Sequence, residues 1–169
     1  MELVRREGAV AASTADFDVV FRAEYPALFR QALLIVGDRS AAEDVVQDVF
    51  AKAWVRWRRV GVLERPGGWL QTSVVRAAVR AKQRRPIWAE LVDAGEAPVV
   101  DGGLSPAVVE ALAALSSKQR AAFVLSVVEG LSSAEIASVL GCGEATVRVH
   151  VHRARAALAS GGLVEVSGG

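Results

Sequence analysis

The stretch from Leu131 to Leu158, LSSAEIASVLGCGEATVRVHVHRARAAL, constrains the fold more than any other part of this chain. Ser132 with Glu135 forms a capping box, and Leu131 and Ile136 stand at the two positions of a hydrophobic staple, so a helix starts sharply there. It ends at LGCG, where Gly141 can take the left-handed conformation that closes a helix and Gly143 can cap the next one. Two helices joined by so short a turn cross steeply, in the geometry of a helix-turn-helix. Stepping about 100° per residue along the second helix places Val147, Val151, Ala154 and Leu158 on one narrow apolar face. Ala145, Val149, His152, Arg153 and Ala156 fall opposite, with Thr146 and Arg148 on the flanks. Small residues allow close approach, and the basic and hydroxyl residues can donate to base edges and phosphates, as a helix in a major groove requires. Arg155 lies nearer the apolar stripe and suits a phosphate rather than a base. A plain helical hairpin with a solvated basic side is the competing reading, and the agreement of cap, turn and face favours DNA. His150 and His152, two residues apart, point to different sides of a helix and cannot share a metal. Cys142 in the turn reads as a small filler.

Upstream, charge is segregated behind a formal net charge of only +1. Residues 16–50 carry seven acids against three bases, whereas residues 51–85 carry ten bases against Glu64 alone, a candidate polyanion surface. Phe17, Val20, Phe21, Tyr25, Leu28, Phe29, Leu33 and Val36 draw one apolar stripe at helical spacing, closed by Gly37, and Pro26 within it predicts a kink or break. Ser40 with Glu43 reads as the capping box of a second helix, whose stripe is Val45, Val46, Val49, Phe50, Ala53, Trp54 and Trp57. Core packing is the expectation for Trp54 and Trp57. The loop RRVGVLERPGG leads to a third helix from Trp69 to about Arg85, which Pro86 stops. Residues 87–105 lose the pattern, carry four acids and no base, and read as a flexible linker.

The expected architecture is all-α: two small helical domains, each with its own core, joined by that linker. Its boundaries are a disordered N-terminus over 1–15, a first domain over 16–86, the linker over 87–105, a helix-turn-helix domain over 106–160 and a disordered tail over 161–169. Apolar residues make up 52% of the chain, yet no run reaches the eighteen or so that a membrane span needs. A single cysteine builds no disulfide framework, which suits a reducing cytoplasm. The N-terminal patch is too short and too acidic for a secretory signal. Nothing resembles a phosphate loop, a metal-ligand set or a nucleophile elbow, so an enzyme or a cofactor has no support.

Two segments of the first half, GDRSAAEDVVQDVFAKAW and WLQTSVVRAAVRAKQRR, together with LSSKQRAAFVLSVVEGLSSAEIASVLGCGEATVRVHVHRARAAL in the second, resemble the extracytoplasmic-function (ECF) group of bacterial RNA polymerase sigma factors. The likeness runs from about Phe17 to Leu158, and within the group the chain looks like the actinobacterial SigE-type members. The resemblance implies a promoter-specificity subunit whose partners are core RNA polymerase and promoter DNA, with an anti-sigma factor as a further partner. It implies docking on the β′ clamp helices through Asp44, Gln47 and Asp48. Arg58, Arg59, Trp69, Arg76 and Arg80 would meet the melted −10 element. Thr146, Arg148, Val149, His152, Arg153 and Arg155 would read the −35 element, with the apolar faces of that domain on the β flap. The acidic linker would thread the RNA exit path. The chain departs from the group at Arg76, where many members have asparagine, near Val60, where an aromatic is expected, and at Val149 and His150, where serine and arginine are common. A free-standing helix-turn-helix regulator with an N-terminal dimerisation or sensing domain is the alternative.

Overall fold

A computed structural model describes residues 2–81 and 106–160, with side chains over 16–81 and 110–160. Eight helices are present among these residues, and no strand. They are α1 (Glu2–Val36), α2 (Arg39–Val55), α3 (Trp57–Val60), α4 (Pro66–Arg80), α5 (Pro106–Ala113), α6 (Ser117–Val127), α7 (Ser133–Leu140) and α8 (Glu144–Ser160). The expected linker and tail lie outside the described residues, as do Lys82, Arg84 and Arg85 of the basic block.

Three local expectations change. First, α1 continues through Pro26 instead of breaking there. An interior proline forfeits one backbone bond and crowds the preceding turn, and the aromatic side chains just before it supply compensating packing. Phe21 and Tyr25 lie 5.1 Å apart between ring centroids, and both pack on Phe50 of α2, at 4.8 and 6.0 Å. The same helix begins at Glu2, where the expectation is a disordered segment over 1–15; the run AVAAS is rich in alanine, the best helix former. Second, α2 is capped by Asp38, whose carboxylate accepts from the Ala41 amide at 2.6 Å, and not by Ser40. Gly37, at φ 84°, turns the chain out of α1 and leaves Asp38 as the first extended residue, the conformation an N-cap needs. Third, the loop after α2 contains the helical turn α3, and α4 starts at Pro66, three residues before Trp69, with proline in the first-turn position it favours.

The second half follows its sequence closely. The capping box at Ser132 and Glu135 forms in both directions, with Ser132 N donating to Glu135 Oε2 at 2.8 Å and Glu135 N to Ser132 Oγ at 3.3 Å. A second box, Ser116 with Gln119, starts α6. Gly141 adopts φ 67°, ψ 42° and closes α7.

The cores are not separate. The segment Ala32–Val36 is apolar on all sides and buried on all sides, the signature of a helix end enclosed by protein. Its residues serve three clusters at once. Leu33 joins α2 and α4 through Val46, Phe50 and Val74. Ile35 and Val36 join Val75 of α4 to Leu125, Ile136 and Val147 of the helix-turn-helix half. Leu34 meets Leu112, Leu115, Val124 and Ala154. The expectation of one core per domain is therefore corrected. The C-terminal half is small for its own core, and it completes that core with the end of α1 and one side of α4.

Candidate nucleic-acid interface

Helix α8 separates its faces as its sequence requires. Val147, Ala154 and Leu158 are buried and Val151 is half-buried. Thr146, Arg148, Val149, His152, Arg153 and Arg155 are all exposed. Arg148 is engaged only loosely, its Nη1 3.7 Å from Glu144 Oε2 one turn earlier, with both side chains more than half exposed. Such a surface pair is weak and leaves the guanidinium free to reach a base edge. His150 is different. Its Nδ1 is buried without a partner, and burial, followed by the neighbouring Lys118 and Arg153, holds its imidazole below the usual histidine range. It stays neutral against the protein while its neighbours face outward.

The α2 face carries Asp44, Gln47 and Asp48, all exposed and opposite the buried Ala42, Val46 and Val49. Asp48 pairs with Lys52 at 2.5 Å in an exposed i,i+4 contact.

Beside that face, α2 and α4 enclose an open groove of about 250 Å³. It brings together Trp69, Arg76 and Arg80 of the five residues expected at the single strand, and adds Lys52, Arg56 and Ser73, which no sequence motif singles out. Arg56 and Lys52 are legible as charges, but their place on this wall depends on how α2 and α4 cross. Trp69 is half-buried, packed against the first core and lining the groove. Arg58 and Arg59 sit on α3, exposed, and do not line the groove. Around the same connection Trp54, Val55, Val62 and Leu63 are exposed. Trp57 is buried as expected and its ring lies 5.0 Å from Phe17; Trp54, also expected in the core, touches Phe17 at 4.9 Å yet stays 48% exposed.

Two arginines cross between the halves, and neither role is visible in the sequence. Arg76 donates from Nε to Val139 O at 2.8 Å and from Nη2 to Ser138 O at 3.0 Å. Arg120, 1% exposed, donates from Nη1 to Ile35 O at 2.8 Å and from Nη2 to Leu115 O at 2.9 Å, and burial lowers its basicity. A buried guanidinium without a carboxylate is tolerated because it donates to two main-chain carbonyls, one in the last turn of α1 and one in the turn between α5 and α6. Among the described residues, no helix is long and apolar enough to cross a membrane.

Comparison with known proteins accounts for both halves. Residues 20–86 match the family model "Sigma-70 region 2" and residues 106–158 match "Sigma-70, region 4". The chain is 32% identical over 167 residues to the ECF RNA polymerase sigma factor SigL of Mycobacterium tuberculosis, covering 92% of this chain and 94% of that one. It is 28% identical over 150 residues to the RNA polymerase sigma-E factor of Streptomyces coelicolor, covering 85% and 84%. Among solved structures it is similar to the sigma factor RpoE of Bartonella quintana, crystallised with the anti-sigma factor NepR, at a TM-score of 0.68 and 27% identity over 89% of this chain and 98% of that one. Matches in both halves leave the alternative of a free-standing regulator with an unrelated N-terminal module without support. A region 2 that carries an acidic helix face and a basic groove, followed by a region 4 that ends in an exposed recognition helix, places this chain in the family of ECF RNA polymerase sigma factors.

Proposed function

We propose that the chain confers promoter choice on core RNA polymerase through three surfaces. The acidic face of α2, with Asp44, Gln47 and Asp48, docks on the β′ clamp helices. The groove between α2 and α4, with Trp69, Arg76 and Arg80, receives the unpaired −10 strand, and Arg58 and Arg59 meet its backbone outside the groove. A cationic channel with an aromatic wall suits stacked, unpaired bases. Helix α8 enters the major groove of the −35 element, with Arg148, His152 and Arg153 at base edges or phosphates, Thr146 and Val149 in close approach, and Arg155 on the backbone. The apolar side of the helix-turn-helix half rests on the β flap. The chain performs no chemistry and requires no cofactor; the polymerase supplies the reaction, in the cytoplasm. The domain limits we assign are 16–86 and 106–160, with an anti-sigma factor as a further partner in the manner of the Bartonella relative.

The observation that carries this reading is the division of α8, on which Thr146, Arg148, His152, Arg153 and Arg155 are exposed while Val147, Ala154 and Leu158 are buried. The docking face is tested by charge reversal. Asp48→Arg removes the acid that Lys52 now pairs with and places a cation on an exposed helix face, where it leaves the fold intact. It should abolish pull-down of core polymerase while preserving binding of isolated −35 duplex; retained polymerase binding removes the docking role of α2.

A further inference from the structure

A second cavity, of about 370 Å³, lies away from the α2–α4 groove. Glu24 and Gln31 line it from α1, Arg65, Gly67 and Gln71 from the start of α4, and Glu129 from the turn between α6 and α7. Gln71 precedes Ser73 of the groove by two residues and Arg80 by nine. At about 100° per residue both steps lead to the opposite side of α4. None of these six residues belongs to the surfaces assigned to polymerase and DNA.

Gln31 is out of place by the rules of a core. It is 2% exposed, between the buried Leu28 and the wholly apolar Ala32–Val36, yet its Oε1 has no hydrogen-bond partner among the described residues. Burying an amide oxygen without a bond is unfavourable, and native interiors rarely do it. Glu24 and Glu129 are half-buried and also make no hydrogen bond or ion pair among the described residues. The Glu24 carboxylate leans over the first turn of α4: its Oε1 lies 2.5 Å from the place a Cβ on residue 67 would occupy, so a glycine there gives it room. The cation of the same cavity, Arg65, is exposed, and its charge also acts on Glu135 of α7. The cavity thus holds two carboxylates against one shared guanidinium, with an unserved acceptor at its most buried point.

We infer that this cavity binds a small organic cation of the guanidinium or alkylammonium class, whose N–H groups donate to Gln31 Oε1 and whose charge is held by Glu24 and Glu129. The volume lies within the range of small-molecule sites. It is far wider than the shell of a divalent metal, whose oxygen ligands must stand at about 2.0–2.6 Å. An anion would meet two carboxylates. A guanidinium is planar and carries five donors in a fixed fork, so one group can serve a carboxylate and an amide oxygen together; an ammonium offers three donors to the same acceptors. The unpartnered Gln31 is then a specificity device: it lowers the stability of the empty chain and is satisfied when the ligand enters.

Calorimetric titration of the full-length chain with agmatine, which carries both groups, and with the diamine putrescine tests the site with neither polymerase nor DNA present. Agmatine should bind saturably at one site and raise the melting temperature by mass action; magnesium chloride at equal ionic strength should do neither. Glu129→Gln, which keeps the shape and removes one charge, should weaken agmatine about tenfold, the size expected for a hydrogen bond to a charged group. Gly67→Ala displaces only the flexible end of Glu24 and should weaken it similarly. Gln31→Leu separates a ligand contact from a structural role. It should cut agmatine affinity about tenfold while raising the melting temperature of the unliganded chain, because it removes an unsatisfied polar group from an apolar surrounding. A Gln31 that serves the fold through an interior water predicts the reverse, a lower melting temperature with unchanged affinity, and that result overturns its role. No saturable binding of either cation, or equal binding by all three variants, overturns the site. Magnesium binding as tight as agmatine overturns the assignment to an organic cation. Each of these outcomes leaves the sigma-factor reading standing.

Discussion

Arg148 and Arg120 show what single residues in this chain do and how far each is legible. Arg148 follows from helical phase alone: one residue after the buried Val147, it must emerge on the flank of the exposed face, and it does. A bidentate base contact is worth about 1–3 kcal/mol of discrimination, so Arg148→Ala should weaken transcription by roughly that amount and relax specificity at one upstream base pair. Run-off transcription over a set of promoters varied at each −35 position measures it. A uniform loss over all variants would make Arg148 a phosphate contact. Arg120 is the opposite case. As an arginine in the polar run SKQR it reads as a solvated charge, yet it is among the most buried side chains of the molecule. Its partners, Ile35 O and Leu115 O, are main-chain atoms of other elements, one of them 85 residues away. Helical periodicity carries no information about a partner that exists only after two elements have packed. Arg76 is hidden for the same reason, since the carbonyls it meets belong to a helix 62 and 63 residues further along.

At the scale of elements, signals that act within one turn are legible, and signals that depend on competition between neighbouring turns are not. The start of α7 is written twice, in Ser132 with Glu135 and in the apolar Leu131 and Ile136 that both pack into the shared core. The hydrogen bonds from Ser132 also hold the Glu135 carboxyl below the usual carboxylate range. The start of α2 offers two caps, Asp38 and Ser40, and the choice is made by how α1 ends: with Gly37 left-handed, the helix can begin two residues earlier. Gly141 gives the sharpest test of an element boundary. Its surroundings are open, with no heavy atom within 4 Å of the place a Cβ would occupy, so a side chain there meets only the backbone cost of its positive φ. That cost is roughly 1–2 kcal/mol for an ordinary L residue and less for asparagine, which visits this region more readily. Gly141→Ala should lower unfolding free energy by about that amount in urea titration, with Gly141→Asn closer to the wild type. Equal stability of all three would mean that the turn is not held left-handed in solution.

The whole molecule departs most from its sequence in how its halves relate. Two amphipathic sets, separated by a stretch without periodicity, imply two cores. What distinguishes Ala32–Val36 is an apolar run with no polar side. Read locally it ends a helix; in the assembled chain it is the segment both halves enclose. The two polar surfaces remain outside this shared core and differ in kind: α8 keeps its cations on an exposed face, whereas the α2–α4 groove commits Arg76 to two carbonyls of α7. Arg80 lies on α4 one turn beyond Arg76 and, like Lys52 and Arg56 of the same groove, is exposed and makes no bond to α7. Its removal therefore tests strand capture without disturbing the Arg76 bonds to α7. Arg80→Ala should leave closed-complex binding to the −35 duplex unchanged and reduce open-complex formation. Loss of one phosphate contact on a single strand should lower the slope of log affinity against log salt by about 0.7. Permanganate reactivity of unpaired thymines around −10, followed over a salt series, reports open-complex formation, and binding of the −35 duplex at the same salts reports the closed complex. Equal losses in closed and open complexes would place Arg80 on duplex DNA and take the groove out of strand separation.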